Sequence, residues 1–225
     1  VNSISLYSNT QVASYPEIAA DAGSNVAVAF IDDRLTTNEE VRIKRSPNYG
    51  SSWLASAQVS NNAGAADLEE TDIAFTHGGT QTGWITVCFQ FGTSDNFGYY
   101  YSSNSGSSWS YGGIFTGATD ENNGTIGARR DGNAVTVAYN ADPGDMVMFT
   151  WASSSTPTNF SAPVQINDHT STGLWRPSAG WIGSYSAIMY SNIGPYNVYL
   201  DAFNFTGNED VTTGAIGSCR NLRRL

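Results

Sequence analysis

The 225-residue sequence predicts an all-β fold built from four copies of one four-stranded unit, and three observations carry that expectation. Only 13% of the residues are charged, while Gly (23), Tyr (12) and Trp (6) are plentiful and Ser, Thr and Asn crowd the turns. That composition suits short strands joined by tight turns rather than helices. Short strand-like runs recur along the chain with a period of about fifty residues, the mark of a repeat architecture. Finally, SPNYGSSW at Ser46–Trp53 returns as SSNSGSSW at Ser102–Trp109, so that Ser-x-Asn-x-Gly-x-Ser-Trp stands twice in the chain.

The elements follow in order. A first strand opens at YPEIAAD (Tyr15), ETDIAFT (Glu70), NGTIGAR (Asn123) and RPSAGWI (Arg176), in steps of 55, 53 and 53 residues. A stronger second strand follows in NVAVAFI, WITVCFQ, AVTVAYN and YSAIMYS, runs apolar or small enough to be covered on both faces. A third is VRIKRS, GYYYSS, MFTWAS and VYLDAF, and a fourth is AQVSN, YGGIF and PVQIN, with no counterpart in the last unit. SISLYSN, Ser3 to Asn9, has the missing strand's alternation. Pairing with the strand around Val198 to Phe203, it would complete the last sheet and remove open edges. The expectation is a small β-propeller of about four four-stranded blades over residues 1–206, the last closed by the N-terminal strand.

Residues 207–225 fall outside the repeat and hold Arg220, Arg223 and Arg224. They pack on their own body, reach a neighbouring subunit, begin a fifth blade or stay solvated. Cys88 sits in an apolar strand and reads as a buried thiol or as half of a bridge, to Cys219 or to another chain. Asn123, Asn159 and Asn204 head N-x-Ser/Thr sequons, which matter only in a glycosylating host.

The repeated motif reads as a turn that builds the blade. Asn48 and Asn104 can bond their own downstream backbone, Gly50 and Gly106 accept positive φ, and Trp53 and Trp109 pack between blades. Ser46 and Ser102 begin the two copies. A decayed third copy, SSSTPTNF at Ser153–Phe160, fits a structural duty, since chemistry does not need the same turn on successive blades. A Ca²⁺ loop is the alternative, although hard cations prefer carboxylates to Asn and Ser. These residues resemble the Asp-box, or BNR repeat, of sialidases and related propellers, with Asn48 and Asn104 where that family more often has Asp. The YPEIAADAGSNVAVAFIDDR stretch also looks like a blade opening of secreted Asp-box propellers.

The resemblance implies a fold and tests an activity. Sialidases clamp a carboxylate with three arginines and carry an Arg-Ile-Pro near the first blade; here Tyr15-Pro16-Glu17-Ile18 stands in that place. Arg34 and Arg176 map to one face of the ring, Arg129 and Arg130 to the other, so the triad is incomplete. A sialidase-like hydrolase is therefore the lesser reading, and enzyme status leans to no. The mouth instead gathers Tyr15, Arg34, Glu70, Asn123, Trp175 and Arg176, with Asp32, Asp33 and Asp72 nearby. Aromatic faces beside planar hydrogen-bonding groups suit a sugar, while packing of Tyr15 and Trp175 and surface pairing of Arg34 would explain them without a ligand.

The formal charge of −10 repels phosphate backbones and anionic membranes, so nucleic acid is not an expected partner. No apolar run is long enough for a spanning helix, and no signal peptide is evident, so export would require one already removed. His77 and His169 lack a second ligand pattern, so no metal or cofactor is expected. The function expected is a non-catalytic extracellular module that binds glycan at the mouth. The alternatives are a self-assembling structural subunit, with a homo-oligomer or another extracellular protein as partner, and the hydrolase.

Overall fold

The structure, a computed structural model, describes residues 13–21, 23–35, 38–60, 68–76, 85–91, 96–115, 120–129, 134–142, 146–153, 159–166, 174–182, 185–192, 198–206 and 210–212. They are all-β and form four antiparallel four-stranded sheets in chain order. Sheet I holds β1 (Ala13–Ala20), β2 (Val26–Leu35), β3 (Asn38–Ser46) and β4 (Ala57–Gln58). Sheet II holds β5 (Leu68–Phe75), β6 (Ile85–Phe91), β7 (Asn96–Ser102) and β8 (Ser110–Ile114). Sheet III holds β9 (Asp120–Ala128), β10 (Ala134–Asp142), β11 (Met146–Ser153) and β12 (Val164–Gln165). Sheet IV holds β13 (Leu174–Ile182), β14 (Tyr185–Asn192), β15 (Val198–Thr206) and β16 (Asp210–Thr212). Among the described residues no helix is long and apolar enough to cross a membrane.

The fourth strand of sheet IV was expected from residues 3–9, which lie outside the described residues. β16, inside the 207–225 extension, takes part of that edge: Asn204, Phe205 and Thr206 pair with Thr212, Val211 and Asp210. A short hairpin closes at far lower entropic cost than a strand recruited from the other end of the chain.

The core lies in the seams between successive sheets. Ala29, Val41 and Ile43 of sheet I pack with Leu68, Ile73, Phe75 and Phe89 of sheet II, and Trp109 lies against that cluster. The next seam is aromatic. Phe97 stacks on Phe115 and Tyr139 at 5.8 and 6.3 Å, and Phe160 meets Tyr99 and Phe115 edge-on at 4.8 and 4.9 Å, spacings at which ring pairs attract beyond simple burial. Gly124 fits here because it is bare: a Cβ would stand 2.0 Å from the Phe97 ring. Ala138, Val147 and Phe149 then meet Ile188 and Tyr190 of sheet IV.

The two Ser-x-Asn-x-Gly turns share one hydrogen-bond pattern. Ser46 Oγ accepts from the N–H groups of Asn48 and Gly50 at 3.3 and 2.8 Å, and Asn48 Oδ1 accepts from Ser52 N at 2.8 Å. Ser102, Asn104, Gly106 and Ser108 repeat these bonds at 3.3, 2.8 and 2.9 Å. Gly50 and Gly106 sit at φ 82° and 79°, where a side chain would be strained.

Candidate functional site

The first strands of the four sheets surround a cavity of about 540 Å³. Each breaks register with its second strand at the same place in the repeat: between Ser14 and Glu17, Glu69 and Thr71, Asn122 and Thr125, and Trp175 and Ser178. Bulges of this kind re-aim side chains and recur beside functional sites. Tyr15, Glu70 and Asn123 stand inside three of the breaks, and all three are left-handed, with φ of 49°, 54° and 51°. Holding a residue other than glycine there costs roughly 1–2 kcal/mol. The same strained backbone thus carries a phenol, a carboxylate and a carboxamide around one opening. Tyr15 is 47% exposed, so it is not spent on packing between sheets.

Arg176 occupies the fourth break, Trp175 precedes it and Arg34 lies in β2; the side chains of these three lie outside the described residues. Asp32 does not serve the opening. It is 1% exposed, 3.5 Å from Arg42 Nε, and Arg42 Nη1 also bonds Glu40 Oε2 at 3.0 Å. Arg129 stands over the Trp181 ring at 5.8 Å, away from the cavity lining.

Two residues beyond the breaks runs a second tier, of which the sequence reading placed only Asp72 near the mouth: Glu17, Asp72, Thr125 and Ser178 all line the cavity. The signal was present, since these positions share the 55, 53 and 53 steps. Asp72 clasps sheet II to sheet III: its Oδ2 accepts from Thr125 Oγ1 and Ile126 N at 2.8 Å each, and its Oδ1 accepts from Ile73 N at 2.7 Å. Thr125 Oγ1 in turn accepts from Ala179 N at 3.5 Å, and Thr71 Oγ1 donates to the Tyr15 carbonyl at 2.5 Å. Burial pushes the Asp72 carboxyl above the usual range, and the three hydrogen bonds hold it part-way back. Glu17 keeps contact with solvent, yet desolvation first and the charge of Asp72 second raise its carboxyl too. Among the described residues no group of three His, Cys, Asp or Glu side chains could hold a metal ion. Among the described residues the cavity offers hydrogen-bond acceptors and donors at two levels, with the aromatic face of Tyr15 at its rim.

No protein-family model matches the chain, and no curated protein matches it. Solved structures do. The chain is similar to the SapL1 lectin in complex with α-methyl fucoside, at 13% identity and a TM-score of 0.58 over 92% of this chain and 65% of that one. It is similar to Penicillium chrysogenum α-L-arabinanase complexed with arabinobiose, at 10% identity and 0.57 over 88% and 64%. NanB sialidase from Streptococcus pneumoniae matches at 16% identity and 0.51 over 79% and 28%. These neighbours are β-propellers, and at such identities the likeness is one of fold alone. The chain spans less than two thirds of the length of each.

Proposed function

We propose that the chain is a non-catalytic, extracellular glycan-binding module of the Asp-box propeller type, with its site at the opening framed by Tyr15, Glu70, Asn123 and Arg176. The observation that carries this reading is the change of side chain on an unchanged backbone: Tyr15, Glu70 and Asn123 share one strained conformation and one cavity. A scaffold needs no such variety. A sugar does, because its ring presents a C–H patch to an aromatic face and a rim of hydroxyls to planar acceptors and donors. The solved neighbours in complex with a fucoside and with arabinobiose support the ligand class, and Arg34, Trp175 and Arg176 belong to the proposed site through their strand positions.

The experiment is a glycan array followed by titration. A neutral or weakly acidic glycan binds with a Kd of roughly 10 μM to 1 mM, and Tyr15→Ala or Asn123→Ala weakens it at least about tenfold with an unchanged melting temperature. A blank array overturns the proposal. One observation favours hydrolysis as a second reading: Glu17 and Asp72, both with raised carboxyls, line the same cavity. Turnover of a fluorogenic glycoside that disappears in Glu17→Gln would establish it.

A further inference from the structure

The seam between sheets II and III opens at its outer strands as well as onto the central cavity. A groove of about 370 Å³ lies there, lined by Tyr99, Gly112, Ile114 and Phe115 of sheet II and by Phe160 and Pro163 of sheet III. An irregularity in β8 shapes its sheet II side: Tyr99 aligns with Gly113 and Tyr100 with Tyr111, so Gly112 is the extra residue of a bulge. A Cβ on Gly112 would stand 1.9 Å from the Tyr99 ring, so glycine lets that ring lie across the edge strand. Ile114, 40% exposed, leaves an apolar wall open to solvent beside the buried rings of Tyr99 and Phe115.

The lip of the groove is the decayed third copy of the Ser-x-Asn-x-Gly turn. In the second copy Asn104 holds Ser108, its Oδ1 accepting from Ser108 N at 2.9 Å and its Nδ2 donating to Ser108 Oγ at 2.8 Å. The third copy has Ser155 in the place of Asn104 and Asn159 in the place of Ser108. Asn159 lines the groove and is exposed, and among the described residues its carboxamide makes no hydrogen bond. The residues after it are anchored. Phe160 bridges to Ala152, Ser161 N donates to the Trp151 carbonyl at 2.7 Å, and Ser161 Oγ accepts from Trp151 N at 3.3 Å. A free carboxamide thus stands on a fixed backbone beside an aromatic groove, and Asn159-Phe160-Ser161 is a sequon.

We propose that Asn159 is the acceptor of an N-linked oligosaccharide whose first sugar, an N-acetylhexosamine, lies in the groove between sheets II and III. The donor class is an oligosaccharide carried on a lipid diphosphate. Asn159 Nδ2 forms its bond to C1 of the sugar as the C1–O bond to the diphosphate breaks; the lipid diphosphate leaves with the electron pair, and the carboxamide gives up one proton to a base. The product suits the place. A glycan is bulky and needs solvent on one side, while the C–H face and acetamido methyl of its first sugar meet Phe160 and Ile114. Asn123 also heads a sequon but stands in different surroundings: it is half-buried in the wall of the central cavity, its Nδ2 donates to Asn122 Oδ1 at 2.7 Å, and the hydroxyl of Thr125 is held by Asp72. A sugar on Asn123 would occupy the cavity that Asn123 lines.

The full chain, sent through the secretory pathway of a glycosylating eukaryotic host, tests this by intact mass and peptide mapping. The folded product exceeds 24.1 kDa and carries glycan on Asn159 and none on Asn123; Asn159→Gln removes that glycan, while Asn123→Gln leaves it in place. Unmodified Asn159, or glycan on Asn123 of the folded product, overturns the assignment. Seating is read separately. Trimmed to its first sugar, the protein melts about 2 °C or more above Asn159→Gln, and in an Ile114→Thr background most of that gap disappears. Equal melting temperatures, or a gap that ignores Ile114→Thr, overturn the placement of the sugar in the groove.

Discussion

The outer turns of sheets I and II and the cavity ends of all four sheets follow the same period but repeat different things. In the turns the residues themselves recur, Ser46, Asn48, Gly50 and Trp53 becoming Ser102, Asn104, Gly106 and Trp109, and the hydrogen bonds recur with them. At the cavity the backbone recurs and the residues do not: Tyr15, Glu70 and Asn123 share one left-handed conformation, and Glu17, Asp72, Thr125 and Ser178 share one tier. Constant chemistry on a constant backbone suits construction. Varied chemistry on a constant backbone leaves room for recognition, because each side chain can be exchanged without rebuilding the sheet that presents it.

The comparison breaks if the turns carry binding or the cavity residues carry stability. Trp109→Ala has the largest expected effect, a loss of about 3 kcal/mol from the seam between sheets I and II, read by urea denaturation. Glycan affinity of the protein that still folds stays at the wild-type value. A drop in affinity at unchanged stability would move the turn from construction to recognition.

A smaller and opposite pair of effects sharpens the contrast. Gly50→Ala costs about 1 kcal/mol although the space is open, the nearest side-chain atom to the added methyl being Trp53 Cζ2 at 3.8 Å. Tyr15→Gly gains about 0.5 kcal/mol by releasing the left-handed strain, part of which is returned to the flexibility of the unfolded chain, while binding falls. Thermal denaturation of the two variants side by side shows the signs.

The smallest effect is a pH dependence. Glu17 has a raised carboxyl in the folded chain, so the folded state holds its proton where the unfolded state has released it. Stability therefore falls as pH rises from the ordinary value of 4.5 through the raised one, and the penalty is complete above it. Glu17→Gln removes that share, so the gap between variant and wild type opens across this window and then stays level. A gap independent of pH would contradict the raised carboxyl.

The fold was legible because burial on both faces leaves long apolar second strands such as NVAVAFI and AVTVAYN, and because Tyr15, Glu70 and Asn123 are spaced by the repeat itself. Other features depend on register, which no single stretch of chain displays. Asp32 read as an acid near the mouth or paired with Arg34 at the surface, yet it is buried and Arg42 is brought up to it from the next strand. Glu17 and Thr125 gained meaning only once Asp72 was seen to bridge sheets II and III. β16 is three residues long, with Val211 its only apolar side chain, too short to alternate visibly.

The seams also decide how the molecule comes apart. Among the described residues, sheets II and III each pack on two neighbouring sheets and sheets I and IV on one, so the folding free energy of this part is close to a sum of nearest-neighbour couplings along a short one-dimensional array. Such an array frays from its ends. Amide hydrogens of β2 and β14 should exchange faster than those of β6 and β10 even though all four are second strands.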